Sequence, residues 1–341
     1  MIIFFLLLAV FNLIIIIKLD KLAKLINIYD KPDRKLKFHK NKTPILGGLI
    51  FFVNFIFLLI YQIFSLDKFL FLETNIYKMR DIIGILLLIL SFFILGIYDD
   101  KYNLTPLKKI FYTLIFVLIS ISLNKTLQIS DFSMSFYDHK IFLDHFSLIF
   151  TLFCFLILTN SLNFYDGING QSCTFFIIIF SYLFLKSDMN EFYMFIILFL
   201  LILLFLNLRN RIFLGDGGIF LIASIASISL IYEYNYMNNI RFADEIFFLL
   251  LLPGFDLIRL TFLRIINGKN AFMGDRNHIH HLLNNRLSLT YTNVILIFIS
   301  ILPIITFLYF GQNFLITLTI FVVLYFFLIF TFKLNNKKKF H

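Results

Sequence analysis

Two aspartates side by side, Asp99 and Asp100, close the apolar run SFFILGIYDD, and Lys101, Lys108 and Lys109 follow them. Adjacent residues on a helix point about 100° apart, so both carboxylates cannot hide from solvent. Two ionised carboxylates in contact repel unless a cation joins them. Asp166 in NSLNFYDGING and Asp216 in FLGDGG end other apolar runs. Four carboxylates converging at one depth suit Mg²⁺, which accepts one or two protein carboxylates and completes its shell with substrate phosphates; Mn²⁺ is the alternative ion.

Three further clusters carry chemistry-bearing side chains. Asn160, Asn163, Asp166 and Asn169 recur every three residues, a spacing that lines one side of a helix as it leaves the membrane, while Gly167 and Gly170 permit a turn. Polar groups at the end of a span are costly, which favours substrate contacts over bonds that merely join helices. The glycines around Asp216 let backbone amides approach a phosphate or let the carboxylate reach a metal. In GDRNHIHHLL, a spacing of three puts His278 and His281 on one helical face, with His280 pointing elsewhere. Beside Arg276, that pattern fits phosphate binding or catalysis better than zinc, because no cysteine or third same-face ligand is near. Asp256 and Arg259, three residues apart in an apolar run, read as a paired charge inside a helical bundle.

The elements that must hold these residues are membrane helices. Of 341 residues 60% are hydrophobic and only 15% charged, which excludes a soluble globular class. Apolar runs predict an all-α polytopic transmembrane helical bundle forming a single domain over 1–341. Its spans fall at 2–17, 45–64, 82–98, 110–123, 146–163, 172–186, 192–206, 219–232, 246–263, 292–310 and 313–332. That is about eleven, with ten or twelve open. No small-residue cleavage site follows the first run, and Lys18, Lys21 and Lys24 do, so the expectation is a retained first span with its N-terminus outside. The loops on one side then carry 22 Lys and Arg against seven opposite, which makes that side cytoplasmic, C-terminus included. All the polar clusters lie on it. The net charge of +10 is thereby explained by topology and lipid attraction, with no nucleic-acid partner implied. Cys154 and Cys173 read as small core residues. With no Trp, Tyr61, Tyr77, Tyr98 and Tyr232 are placed to mark the interfaces. A transporter, the alternative of another class, would need acids in mid-span and paired halves, whereas the acids gather mainly at one surface and no halves repeat.

Taken in order, the clusters resemble those of the polyprenyl-phosphate N-acetylhexosamine-1-phosphate transferases over residues 30–283. HKNKTPILGG, from His39 to Gly48, is similar to that family's proline-diglycine segment. Asp99, Asp100 and Lys109 match its DDxxxLxxxxK motif. Asn160, Asn163, Asp166, Gly167 and Gly170 match NxxNxxDGxxG, and Phe213, Gly215, Asp216 and Gly218 match FxGDxG. Asp275, Arg276, His278, His280 and His281 match DRxHxHH. The resemblance implies transfer of a sugar 1-phosphate, most simply N-acetylglucosamine 1-phosphate, from a UDP-sugar to undecaprenyl phosphate with release of UMP. The enzyme would lie in a bacterial plasma membrane and start an O-antigen or related polysaccharide, with a homodimer left open. It implies Asp216 as the main Mg²⁺ ligand with Asp99 and Asp100 beside it, Asp99 or Asp100 orienting or deprotonating the lipid phosphate, and catalytic or phosphate-binding roles for His278 and His281. Lys42, Lys109, Arg276 and His280 would bind phosphate, while Asn160, Asn163, Asp166, Asn169, Asn207 and Phe213 would contact substrate, Asn207, Phe213 and Asp166 on the nucleotide side. The chain departs from the pattern at Asn169, where many members carry a second aspartate, and at Gly218, where serine is common. HIHH in place of HHxE argues for a simple acetamido sugar over the muramoyl-pentapeptide branch, which is the alternative within the family.

Overall fold

The computed structural model describes residues 2–30, 42–65, 79–271 and 275–334. His39 and Tyr77 lie outside them. Among the described residues the chain is helical apart from two small antiparallel sheets. Seven helices are long and apolar enough to cross a membrane, and an eighth span arises if one bent pair is counted as a single crossing. Three shorter apolar helices stand where the sequence predicts spans 2–17, 45–64 and 172–186. The protein is a multi-pass membrane protein by the composition of its helices, as expected, while the clear candidates number fewer than eleven. Helices are the natural outcome because lipid offers backbone amides no other partner.

The chain divides into two compact units, each discontinuous in sequence. The first comprises residues 1–124 and 188–225. It contains α1 (Ile2–Ile17), α2 (Leu19–Ile26), α3 (Gly47–Ser65), α4 (Met79–Tyr102), α5 (Pro106–Leu123), α6 (Asn190–Leu208) and the start of α7 (Gly215–Asn235). Asn12 and Asn54, both buried, exchange side-chain amide hydrogen bonds of 2.7 and 3.0 Å between α1 and α3. Helix α4 ends where Asn103 takes a left-handed φ of 48°, and Pro106 opens α5 two residues after Leu104. That tight corner fixes Asp99, Asp100 and Lys109 close together.

The second unit comprises residues 125–187 and 226–341. A hairpin of β1 (Asp131–Met134) and β2 (Tyr137–Phe142), absent from the all-helical expectation, is held by Tyr234 and by the buried Asp244, which accepts from Ser135 N at 2.5 Å. The helices are α8 (Ser147–Tyr165), α9 (Gln171–Lys186), α10 (Ala243–Leu249), α11 (Leu251–Ile266), α12 (Ile279–Asn284), α13 (Leu289–Tyr309) and α14 (Phe314–Leu334), with the end of α7. The predicted span 246–263 is broken: α10 and α11 meet at 69°. Pro253 lacks the amide that would bond to Leu249, and its ring crowds that carbonyl, so one straight helix cannot form.

Candidate active site

In the first unit the site is built on close backbone approach. The segment Pro44–Gly48 runs beside Phe213–Leu214: Phe213 N donates to Pro44 O, Gly47 N to Phe213 O and Gly48 N to Leu214 O, each at 3.0 Å. A Cβ on Gly48 would stand 2.4 Å from Gly218 N, and one on Gly96 would stand 2.4 Å from Asp216 O. Glycine at those positions is what lets α3 and α4 touch the first turn of α7. Gly215 opens that turn at a φ of +73°, a conformation costly for other residues.

This contact delivers three carboxylates and one ammonium to a single point. Asp100 accepts from the amides of Asp216 at 2.8 Å and Gly217 at 2.9 Å, one with each oxygen. It therefore caps α7 and complements the positive end of that helix. Asp99, 3% exposed, accepts from Leu104 N at 2.7 Å and pairs with Lys109. Lys109 also reaches Asp216 at 3.0 Å. Asp216 keeps a side-chain exposure of 27%, against 2% for Asp99, and Asp100 is half-buried with both oxygens engaged. Hard oxygen donors with an excess of negative charge fit Mg²⁺, and Asp216, with Asp99 behind it, would hold the ion. When bound, it would neutralise phosphate oxygens.

The remaining first-unit candidates have structural attachments. Asn207 donates to Ile212 O at 3.0 Å, closing the turn after α6. Phe213 is half-buried and its backbone pairs with Ile45. Lys42 is exposed and rests 3.7 Å over the Tyr29 ring.

The second unit holds the other motif residues. Helix α8 stops at Tyr165, so Asn160 and Asn163 are helical while Asp166 caps the end and Asn169 sits in the turn beyond. The three-residue spacing does not line one helical face over its whole length, because the turn at Gly167 interrupts it. Asn160 donates to Leu156 O at 2.7 Å, Asp166 is exposed and accepts from Ser172 at 2.7 Å, and the Asn169 carbonyl accepts from Asn293 at 2.9 Å. Asp166 thus belongs to a different unit from Asp99, Asp100 and Asp216.

The histidines depart from their expected geometry. Helix α12 begins only at Ile279, leaving His278 as its extended N-cap, so His278 and His281 do not share a helical face. His278 instead stacks on His280, rings 5.3 Å apart and 12° from parallel, and His280 lies 4.2 Å from His281. Gly167 closes over this group, since a Cβ there would fall 1.9 Å from His280 Nε2. Asp256, His278 and His280, all buried, form a group with a ligand atom from each within 4.8 Å of the others, which could bind a metal ion. Asp275 accepts from Arg264 Nε at 2.8 Å, and Arg276 is half-buried near His281.

Burial, followed by the positive charge of Arg276, pulls His281 down to about 4. Burial also holds His280 well below the usual 6.5, and the Asn277 amide and Arg264 lower Asp275. Each folded value lies below its unfolded one, so the folded state holds fewer protons and is favoured at higher pH. The stability from the two histidines is complete above about 6.5 and drains as pH falls towards 4, with Asp275 adding to the loss at lower pH. The thermal midpoint in detergent should drop across that window; a flat profile would contradict the buried, neutral imidazoles.

Asp256 is the functional candidate that pattern reading underrates. It does pair with Arg259 at 2.7 Å as expected, but it also accepts from Tyr325 at 2.5 Å and contacts His278 at 2.7 Å. The legible signal is an ionisable pair inside an apolar run. The use of Asp100 as a helix cap carries no signal, because it depends on where α7 starts in space.

A multi-pass helical membrane protein with an acid–lysine cluster at helix ends is the class that this fold and geometry define. The family model "Glycosyl transferase family 4" matches residues 82–233, which include the motifs around Asp99, Asp166 and Asp216. Over those residues, fewer than half of its length, the chain is similar to the polyprenyl-phosphate HexNAc-1-P transferases. No curated protein matches it.

Proposed function

We propose that this chain transfers N-acetylglucosamine 1-phosphate, or a closely related N-acetylhexosamine 1-phosphate, from a UDP-sugar to undecaprenyl phosphate. A phosphate oxygen of the lipid attacks the β-phosphorus of the nucleotide sugar, the bond from that phosphorus to the bridging oxygen breaks, and UMP leaves with that oxygen. The product is a diphosphate-linked lipid that starts a surface polysaccharide. The observation that carries this reading is the gathering of Asp99, Asp100, Lys109 and Asp216 where α4, α5 and α7 have their ends. Both substrates are anionic, and the acceptor's chain must stay in lipid while its phosphate reaches water. Helix ends meet both demands, and the predominance of Lys and Arg supports placing them at the cytoplasmic face of a bacterial plasma membrane.

The roles divide by access. Asp216 would hold Mg²⁺, which would offset the charge of the sugar-nucleotide diphosphate. Asp100, with both oxygens engaged by backbone amides, holds the start of α7 in place. Asp99 orients Lys109, whose ammonium offsets the charge of the lipid phosphate. His278, His280, His281, Lys42 and Arg276 bind phosphate oxygens; Asn160, Asn163, Asp166, Asn169, Asn207 and Phe213 contact the donor. Purified protein in detergent, given undecaprenyl phosphate, Mg²⁺ and a panel of UDP-acetamido sugars, should release UMP and form lipid-linked sugar diphosphate with UDP-N-acetylglucosamine. Turnover confined to UDP-muramoyl-pentapeptide would move the chain to the other branch. Absence of turnover with every donor would end the proposal.

A further inference from the structure

Asp256 is 1% exposed in the second unit, and both of its carboxylate oxygens are engaged. Tyr325 Oη, on α14, donates to Oδ1 at 2.5 Å, and Arg259 on α11 donates to the same oxygen at 2.7 Å. Oδ2 faces His278 Nδ1 at 2.7 Å, and Ile279 N lies 3.4 Å from both oxygens. An ionised carboxylate only accepts hydrogen bonds, so Nδ1 of His278 must carry the proton that joins them. The other ring nitrogen is then the variable one. Nε2 is buried and has no hydrogen-bond partner among the described residues.

The surroundings of His278 remove its remaining freedom. Its ring stacks on Phe164, 17° from parallel, and on His280, while Arg259 also donates to the carbonyl of Asn277 at 2.8 Å. Elements α8, α11, α12 and α14 therefore converge on the orientation of one imidazole. A buried polar atom left without a partner is costly, and a ligand would remove that cost. The carboxylate's own oxygens are saturated, so the free coordination capacity of the Asp256, His278 and His280 group lies on the imidazole nitrogens.

We propose that Asp256 is a positioning residue: it fixes the tautomer and direction of His278 so that Nε2 faces the substrate phosphate, where it accepts the proton of a P–OH group or, once protonated, donates to a phosphoryl oxygen. The inference rests on the transferase reading for the identity of that oxygen, and it extends the reading to a residue outside the recognised motifs. Tyr325 and Arg259 hold the carboxylate in the same way that the carboxylate holds the imidazole.

The full-length protein in detergent, labelled with ¹⁵N-histidine and with His278 assigned by its loss in His278→Asn, gives a direct test in the wild type. At alkaline pH the expected spectrum has a protonated Nδ1 and an unprotonated Nε2; the opposite tautomer would overturn the inference. Asp256→Asn should shift the tautomer balance and lower kcat about 10²-fold per folded molecule, with KM within roughly threefold. Added imidazole should restore turnover to His278→Gly but not to the double variant His278→Gly, Asp256→Asn. If Asp256→Asn changes only the folded fraction, or if rescue ignores Asp256, the residue is a structural ion-pair partner and the proposal fails. A wild type that turns over no UDP-sugar would remove the transferase reading alone, because the nitrogen spectrum decides the tautomer without any turnover.

Discussion

Asp216→Ala is expected to reduce UMP release by about 10³-fold or more while the protein still inserts and folds. The loss is large because Asp216 is the accessible acid of the cluster, and no neighbouring carboxylate can take its place. Asp99 is buried against Lys109, and Asp100 spends both oxygens on the amides of residues 216 and 217. The fold should survive for the same reason. Alanine keeps the amides that Asp100 accepts from, and Lys109 retains Asp99 as its partner. Turnover measured against Mg²⁺ concentration, alongside the thermal midpoint, separates the two effects. Turnover near the wild-type rate with an unchanged Mg²⁺ dependence would remove Asp216 from the metal assignment.

Gly96→Ala should be among the most damaging single-methyl changes in the first unit. Elsewhere in a helix this substitution stabilises by about 1 kcal/mol through lower backbone entropy. Gly254 in α11, where an added methyl would meet nothing within 4 Å, should behave that way or remain neutral. At Gly96 the added carbon meets the Asp216 carbonyl carbon at 2.5 Å and its oxygen at 2.4 Å. Backbone cannot swing aside as a side chain can, so α7 must move away from α4. The clash, typically about 1–3 kcal/mol, exceeds the propensity gain and reverses its sign. It also pulls the amides of 216 and 217 from Asp100, so kcat should fall together with the thermal midpoint. If Gly96→Ala and Gly254→Ala proved equally benign, the close contact between α4 and α7 would be wrong.

The helical, multi-pass character was legible in the sequence because lipid leaves the backbone one solution, and about twenty apolar residues announce it, while the break within 246–263 was not. That Asp99, Asp100 and Lys109 lie near one another was legible too, since all three belong to one helix end and the corner after it. The separate duties of the two aspartates were not. Their side chains point about 100° apart, and only the position of α7 decides that one becomes a cap and the other a lysine partner. The histidine motif misled in a specific way. A spacing of three implies a shared face only inside a helix, and the start of α12 at Ile279 places His278 outside it.

Composition and the apolar runs determined by themselves that this is a multi-pass membrane protein, and three of the ordered motifs fall in the region that matches the family model. These features are local: each depends on residues within a turn or a span of one another. Tertiary structure alone decided that Asp256 grips His278 from 22 positions away, that Gly167 makes room for His280, and that Gly96 lies on the backbone of Asp216. Contacts between distant segments depend on how helices pack, and packing is set by the shape of whole surfaces, which no short pattern of residues encodes.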